Sequence, residues 1–215
     1  MCVMSTPYEL SGRSGQKSRT RTALITAARA LLAEGGSTPT VEDAAASAAI
    51  SRTTAYRYFS NQTALLVAAH PEIERTSLLP PDAGEDPEAR LRAAVGAFLQ
   101  LIVETEHQQR TMLRLSLDPG AEGRDLPLRK GRAIGWFEEA LAPLRPRLTE
   151  ADVHRLAVTV RGAVGIESLV WFTDVAGLSR DEAVELMRWS AQALLRHALA
   201  AGLPTDHSNA SSSRG

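Results

Sequence analysis

Arg52, Thr53, Thr54 and Arg57 crowd one short stretch of the segment TVEDAAASAAISRTTAYRYF, Thr40 to Phe59. An arginine guanidinium can bond a guanine edge through two N–H groups, and a threonine methyl can touch the methyl of thymine. Tyr56 and Tyr58, interleaved with them, carry hydroxyls that can reach phosphate oxygens. That chemistry is recognition of duplex DNA, and it requires these side chains on the outer face of a helix. The competing reading is a solvated helix end with two charges and ordinary core aromatics.

The flanking residues supply such a helix. Thr40 is a helix-start residue, and Asp43 stands three positions on, beside the exposed amides of the first turn. Ala44, Ala45 and Ala48 form a small-residue face that lets a second helix approach closely. Ala48-Ala49-Ile50 is a tight connection, and Ser51 can cap a new helix running to about Tyr58. Helix, short turn, helix is the helix-turn-helix pattern, whose second helix enters the major groove. Ile50 and Phe59 are its expected anchors. Ala49 takes the place where such turns often have Gly, so the turn either avoids the left-handed conformation there or carries some strain.

A helix of about Lys17 to Ala33 precedes this unit, and FSNQTALLVAAH follows it. The whole block, roughly Arg19 to Ala69, resembles the DNA-binding domain of TetR-family transcriptional regulators. The most specific part is Tyr56-Arg57-Tyr58-Phe59 followed by Ala64-Leu65-Leu66. The resemblance implies an all-α protein: an N-terminal three-helix helix-turn-helix DNA-binding domain and a C-terminal helical ligand-binding and dimerisation domain. It implies a homodimeric, ligand-responsive repressor on a palindromic operator. The expected DNA-contacting residues are Arg19, Thr40, Ser51, Arg52, Thr53, Thr54, Tyr56, Arg57, Tyr58 and Gln62. Gln62 is a departure, since the family usually has a phosphate-touching Lys at the start of its fourth helix. A neutral amide still donates a hydrogen bond but releases no counterion, so the salt dependence of binding is expected to be shallower by about one unit of slope.

Composition agrees with a helical, soluble chain. Aromatics make up 5% of its 215 residues, Ala and Leu abound, and few runs alternate with period two. The net charge of −1 is unevenly placed: residues 1–59 hold seven bases and four acids, a net of +3, which leaves −4 for the rest. A basic head on an acidic body suits contact with DNA at one end. The single cysteine, Cys2, excludes an internal disulfide and a Cys-based zinc site. No signal peptide is expected, and Arg161 and Glu167 interrupt the most apolar stretch, so no membrane span and a cytoplasmic location are expected.

Along the chain, residues 1–16 read as a disordered arm, whose basic end (Arg13 to Arg21) either orders along a phosphate strand or is a plain solubilising tail. Residues 17–70 form the DNA-binding domain, 71–202 the effector-binding and dimerisation domain, and 203–215 a polar tail. The first helix turns Leu24, Ala27, Ala28, Leu31 and Leu32 inward and stops at Gly35-Gly36. Pro71 is either a hinge or an ordinary loop proline. PPDAGEDP, Pro80 to Pro87, is a linker by composition. Helices are then expected over about 87–106, 108–117 and 126–144. Two long ones follow, one capped by Thr149 and running to about Val175, the other capped by Ser179 and running to about Ala201.

The last two helices are apolar on more than one face, as two helices would be that also meet a second copy; a monomer core is the alternative. The ligand candidates are Phe98, Ile102, Met112, Trp136, Glu167 and Trp171, for a small apolar ligand. Aromatics and Met at helical spacing more often fill a core. Glu167 and Arg161 lie among apolar neighbours, where each either orients a ligand or forms an interface salt bridge. Two rival functions stand beside the regulator. One is an enzyme, opposed by the lack of metal-ligand spacing among the His residues, of a Gly-rich phosphate loop and of a nucleophile elbow, so that no catalytic residue, metal or cofactor is expected. The other is a helical interaction protein that has lost DNA binding.

Overall fold

The computed structural model describes residues 7–34, 38–70, 75–117 and 131–204, with side chains from Gly15 onward. The described residues are helices joined by turns, as expected of an all-α chain. The chain divides into two compact units, one of residues 1–75 with 105–130, the other of 76–104 with 131–215.

In the first unit α1 spans Pro7–Ala33, α2 Val41–Ser47, α3 Arg52–Tyr56, α4 Gln62–Ala69 and α6 Glu106–Leu117. The helix starts at Pro7, ten residues before the expected Lys17, so the backbone of residues 7–16 is helical where a disordered arm was expected. A proline is well placed there, because its fixed φ suits a first helical turn and its missing N–H would have no helical partner. Leu24, Ala28 and Leu32 of α1 pack with Val41, Ala44 and Ala45 of α2, Ala55 of α3, Phe59, and Leu65 and Leu66 of α4. Met112 of α6 belongs to this core as well. That corrects one expectation: α6 packs with the head rather than with the body, and Met112, an expected ligand contact, is buried in the head core. Its neighbours 108 and 109 are also buried, and the Gln108 amide donates to the Ala69 carbonyl at 2.8 Å. Arg29 Nε donates to the same carbonyl at 2.9 Å. Gly35-Gly36, Pro71 and residues 118–130 lie outside the described residues.

The second unit holds α5 (Pro87–Glu104), α7 (Arg132–Leu141), α8 (Glu150–Val164), α9 (Ile166–Val170) and α10 (Arg180–Ala201). Leu91, Val95, Phe98, Leu99 and Ile102 of α5 meet the buried faces of α7, α8 and α10. Phe98 stands edge-on to Trp136 and Phe137, with centroids 6.4 and 5.4 Å away. The proline-rich segment before α5 is pinned, not a free linker: Arg90 donates to the carbonyls of Gly84, Glu139 and Ala140 at 3.0, 2.9 and 3.2 Å. The Trp136 indole N–H reaches the Thr76 carbonyl at 3.2 Å, and the Ser77 hydroxyl reaches Glu139 at 2.8 Å.

The helix caps fall where the sequence places them. Thr149 accepts from the Asp152 amide, and Ser179 and Glu182 form a full capping box. Between them the expected single helix is broken. Gly165 is extended (φ −79°, ψ 173°), and after α9 the chain loosens into a π-turn, Trp171–Val175. Glu150–Val175 is nevertheless the described stretch long and apolar enough to cross a membrane, with mean hydropathy 1.3, where none was expected. Part of its apolar surface is spent on packing: Leu156, Val160, Val164, Ile166 and Leu169 are fully buried in the unit, while Val158, Trp171 and Val175 are exposed.

Candidate nucleic-acid interface

The reading unit is built from local rules. Thr40 accepts from the Asp43 amide while its own N–H and hydroxyl donate to the Asp43 carboxylate at 2.8 and 2.7 Å, a complete capping box. These bonds, to the Thr40 backbone and then its hydroxyl, hold the Asp43 carboxyl below its ordinary value. Thr40, expected at a phosphate, makes this cap and is exposed.

The turn after α2 is a Schellman motif. Ile50 N–H bonds the Ala45 carbonyl at 2.9 Å and Ala49 N–H bonds Ala46 at 3.1 Å. That geometry puts its middle residue in the left-handed region, and Ala49 sits there with φ 54°. Of the two alternatives for this position, the strained one holds. Helix α3 then starts on Ser51, whose hydroxyl accepts from the Thr54 amide at 3.2 Å and donates to the Thr54 hydroxyl at 2.8 Å.

Around this frame Ala55 and Phe59 are buried, Ile50 and Tyr58 pack partly on the head core, and Ser51, Arg52, Thr53 and Arg57 are exposed. Thr54 is half-buried and serves the cap, not the outer face. Tyr58 also turns partly inward. Tyr56 is 38% exposed, but its hydroxyl donates to Glu42 Oε1 at 2.8 Å instead of standing ready for a phosphate. Arg52 Nη2 lies 2.7 Å from the same oxygen, and its guanidinium stands over the Tyr56 ring, 5.7 Å from the centroid. The Tyr56 hydrogen bond, then the local backbone, then the Arg52 charge lower the Glu42 pKa, and the same bond raises that of Tyr56. Glu42 had drawn no attention in the sequence. Its partners lie ten and fourteen residues on, across a turn, and no helical spacing links them.

Gln62 also serves the frame. Its amide donates to the carbonyls of Thr38 and Pro39 at 3.0 and 3.1 Å, so it ties α4 to the loop before α2. Arg19 is exposed and bonds Gln16 at 2.9 Å, while Arg21 stacks over Phe59 at 5.4 Å. The structure thus gathers Ser51, Arg52, Thr53, Tyr56 and Arg57 on one accessible face, and Thr40, Thr54 and Gln62 make bonds that hold that face in place.

The expected ligand residues are spread over core and surface. Phe98, Ile102 and Trp136 are buried in the packed core of the second unit, and Trp171 is 58% exposed. Glu167 pairs with Arg161, whose guanidinium covers the Phe98 ring at 5.6 Å. A groove of about 490 Å³ lies elsewhere, between Gly96, Leu99 and Val103 of α5 and Arg180, Val184 and Arg188 of α10. Spacing alone could not separate a core aromatic from a pocket wall, because both need the same inward face.

Residues 24–69 match the model of the bacterial regulatory proteins of the tetR family. The match covers the helix-turn-helix unit, α2 and α3, together with the end of α1 and all of α4. Its fold is similar to that of a TetR transcriptional regulator from Rhodococcus sp. RHA1, with a TM-score of 0.59 and 19% identity over 84% of this chain and 98% of that one. No curated protein matches the chain.

Proposed function

We propose that the chain is a ligand-responsive repressor that acts in the cytoplasm as a homodimer on a palindromic operator. The observation that carries this reading is the exposed α3 face, with Arg52 and Arg57 flanking Thr53 on a capped helix whose opposite side is core. Each subunit would lay α3 in the major groove, the two half-sites a helical turn or more apart.

Support for a two-fold partner comes from α8 and α10, where Val158, Leu186 and Trp189 are 42, 40 and 69% exposed. Large apolar side chains left in water on two long helices are what a four-helix dimer interface would cover. Support for a small ligand comes from the α5–α10 groove, whose lining mixes Leu99, Val103 and Val184 with Gln100, Asp181 and the guanidinium groups of Arg180 and Arg188. A ligand there represses or releases only through its differential affinity for two states of the protein, of the order of 1–3 kcal/mol.

The test is selection of duplexes from a random library by the purified chain, with its mass in solution measured alongside. A recovered site with two-fold symmetry and a dimer mass are expected. Recovery of no preferred sequence would end the regulator reading in favour of an interaction protein.

A further inference from the structure

Glu42 stands against the reading face and contacts two of its side chains, Tyr56 and Arg52. Its Oε1 takes the Tyr56 hydroxyl at 2.8 Å and Arg52 Nη2 at 2.7 Å. The guanidinium is therefore fixed at one edge by a carboxylate and on one face by an aromatic ring. Its side chain remains 73% exposed, so it is held without being buried. A guanidinium carries five N–H donors in a fixed fork, so one edge can be gripped while another is presented.

We propose that Glu42 is a specificity-determining residue, a positioning carboxylate that offers Arg52 to base edges in one orientation and withholds it from the phosphates. The proposal rests on the DNA-reading assignment above. An arginine free on its long stem finds a phosphate in any sequence and adds affinity without information. An arginine tethered to α2 cannot swing to the backbone without leaving a carboxylate behind, and that carboxylate repels the phosphate it would approach. Discrimination is gained because affinity for arbitrary DNA is given up. The tether spans the two helices of the reading unit, so the angle of the guanidinium follows the angle between α2 and α3.

The test uses the full-length chain and two variants, Glu42→Gln and Tyr56→Phe. Duplexes are selected from a random library by the unaltered protein. Binding of the selected duplex and of a random-sequence duplex of equal length is then measured for all three proteins over a range of salt. Glu42→Gln is expected to tighten binding to the random duplex, to steepen its salt dependence by about 0.9 in slope, and to lower the ratio of selected to random affinity about tenfold. Tyr56→Phe keeps the ring beneath the guanidinium and removes one bond to the carboxylate, so it should lower the ratio by about threefold with no change in slope. A merely structural ion pair would move thermal stability and leave both ratio and slope alone. Ratios within twofold of the unaltered protein for both variants would overturn the proposal while leaving the regulator reading intact. Failure of the unaltered protein to select any duplex would overturn both.

Discussion

Arg161 reaches across the break between α8 and α9 and grips Glu167 at 3.0 and 3.4 Å, directly over Gly165. A Cβ on Gly165 would stand 1.8 Å from Arg161 Nη1 and 2.2 Å from Glu167 Oε2. The glycine is therefore the floor on which the pair rests. Its backbone is extended, not left-handed, so the demand is for space rather than for an unusual φ.

Gly165→Ala should expel both side-chain ends and lose the pair together with the cover over Phe98. The ends are flexible and Glu167 is nearly half exposed, so the loss is limited to about 1–2 kcal/mol. Thermal unfolding reads it. Glu167→Gln, which keeps the shape, should cost less than about 1 kcal/mol and leave DNA binding unchanged. A Gly165→Ala protein as stable as the original would show that the pair is not seated on the glycine.

Ala49→Gly should stabilise the head. A Cβ in the left-handed region costs about 1–2 kcal/mol, and glycine returns part of that through its looser unfolded chain. The net gain is about 0.5–1 kcal/mol, a rise in melting temperature of about 1–4 °C. Calorimetry of the variant checks it, with a fall in melting temperature as the contrary result.

Asp43 and Glu182 close capping boxes, and Asp152 serves the cap of α8 and pairs with Arg155. All three carboxyls titrate below their ordinary values. The causes are the Thr40 backbone and hydroxyl for Asp43, the Ser179 hydroxyl and backbone for Glu182, and Arg155 then Thr149 for Asp152. A depressed folded pKa means stability that is present in full above the unfolded values, 3.8 for Asp and 4.5 for Glu, and that drains as pH falls through the lower folded ones. Melting temperature should therefore drop on acidification through this range. Asp43→Asn should flatten part of the drop, and an unchanged pH profile in that variant would remove Asp43 from the account.

Gln62→Ala removes two donors from the Thr38 and Pro39 carbonyls and should cost about 1–2 kcal/mol of stability. Because the amide faces the loop, the slope of DNA affinity against salt should stay as it was. A changed slope would place Gln62 at a phosphate after all.

What could be read from the residues was whatever chemistry decides locally. Thr40, Ser51, Thr149 and Ser179 each cap the helix they precede, because the bond runs only three residues forward. The exposed Arg52 and Arg57 and the inward Ile50 and Phe59 agree with what was read from the segment. Features set by packing across the chain stayed hidden. Gly165 falls inside the single helix expected from Thr149 to about Val175, since nothing adjacent reveals that two charged side chains will settle over it. Met112 and Gln108 pack with a head whose last helix ends some forty residues earlier. Tyr56 was given to a phosphate because its partner, Glu42, sits on the other helix.

The Ala69 carbonyl, claimed at once by Arg29 Nε and the Gln108 amide, has both lone pairs occupied. If the end of α4 shifts, it either carries α1 and α6 with it or releases two bonds together. One acceptor thus fastens the end of α4 to both α1 and α6.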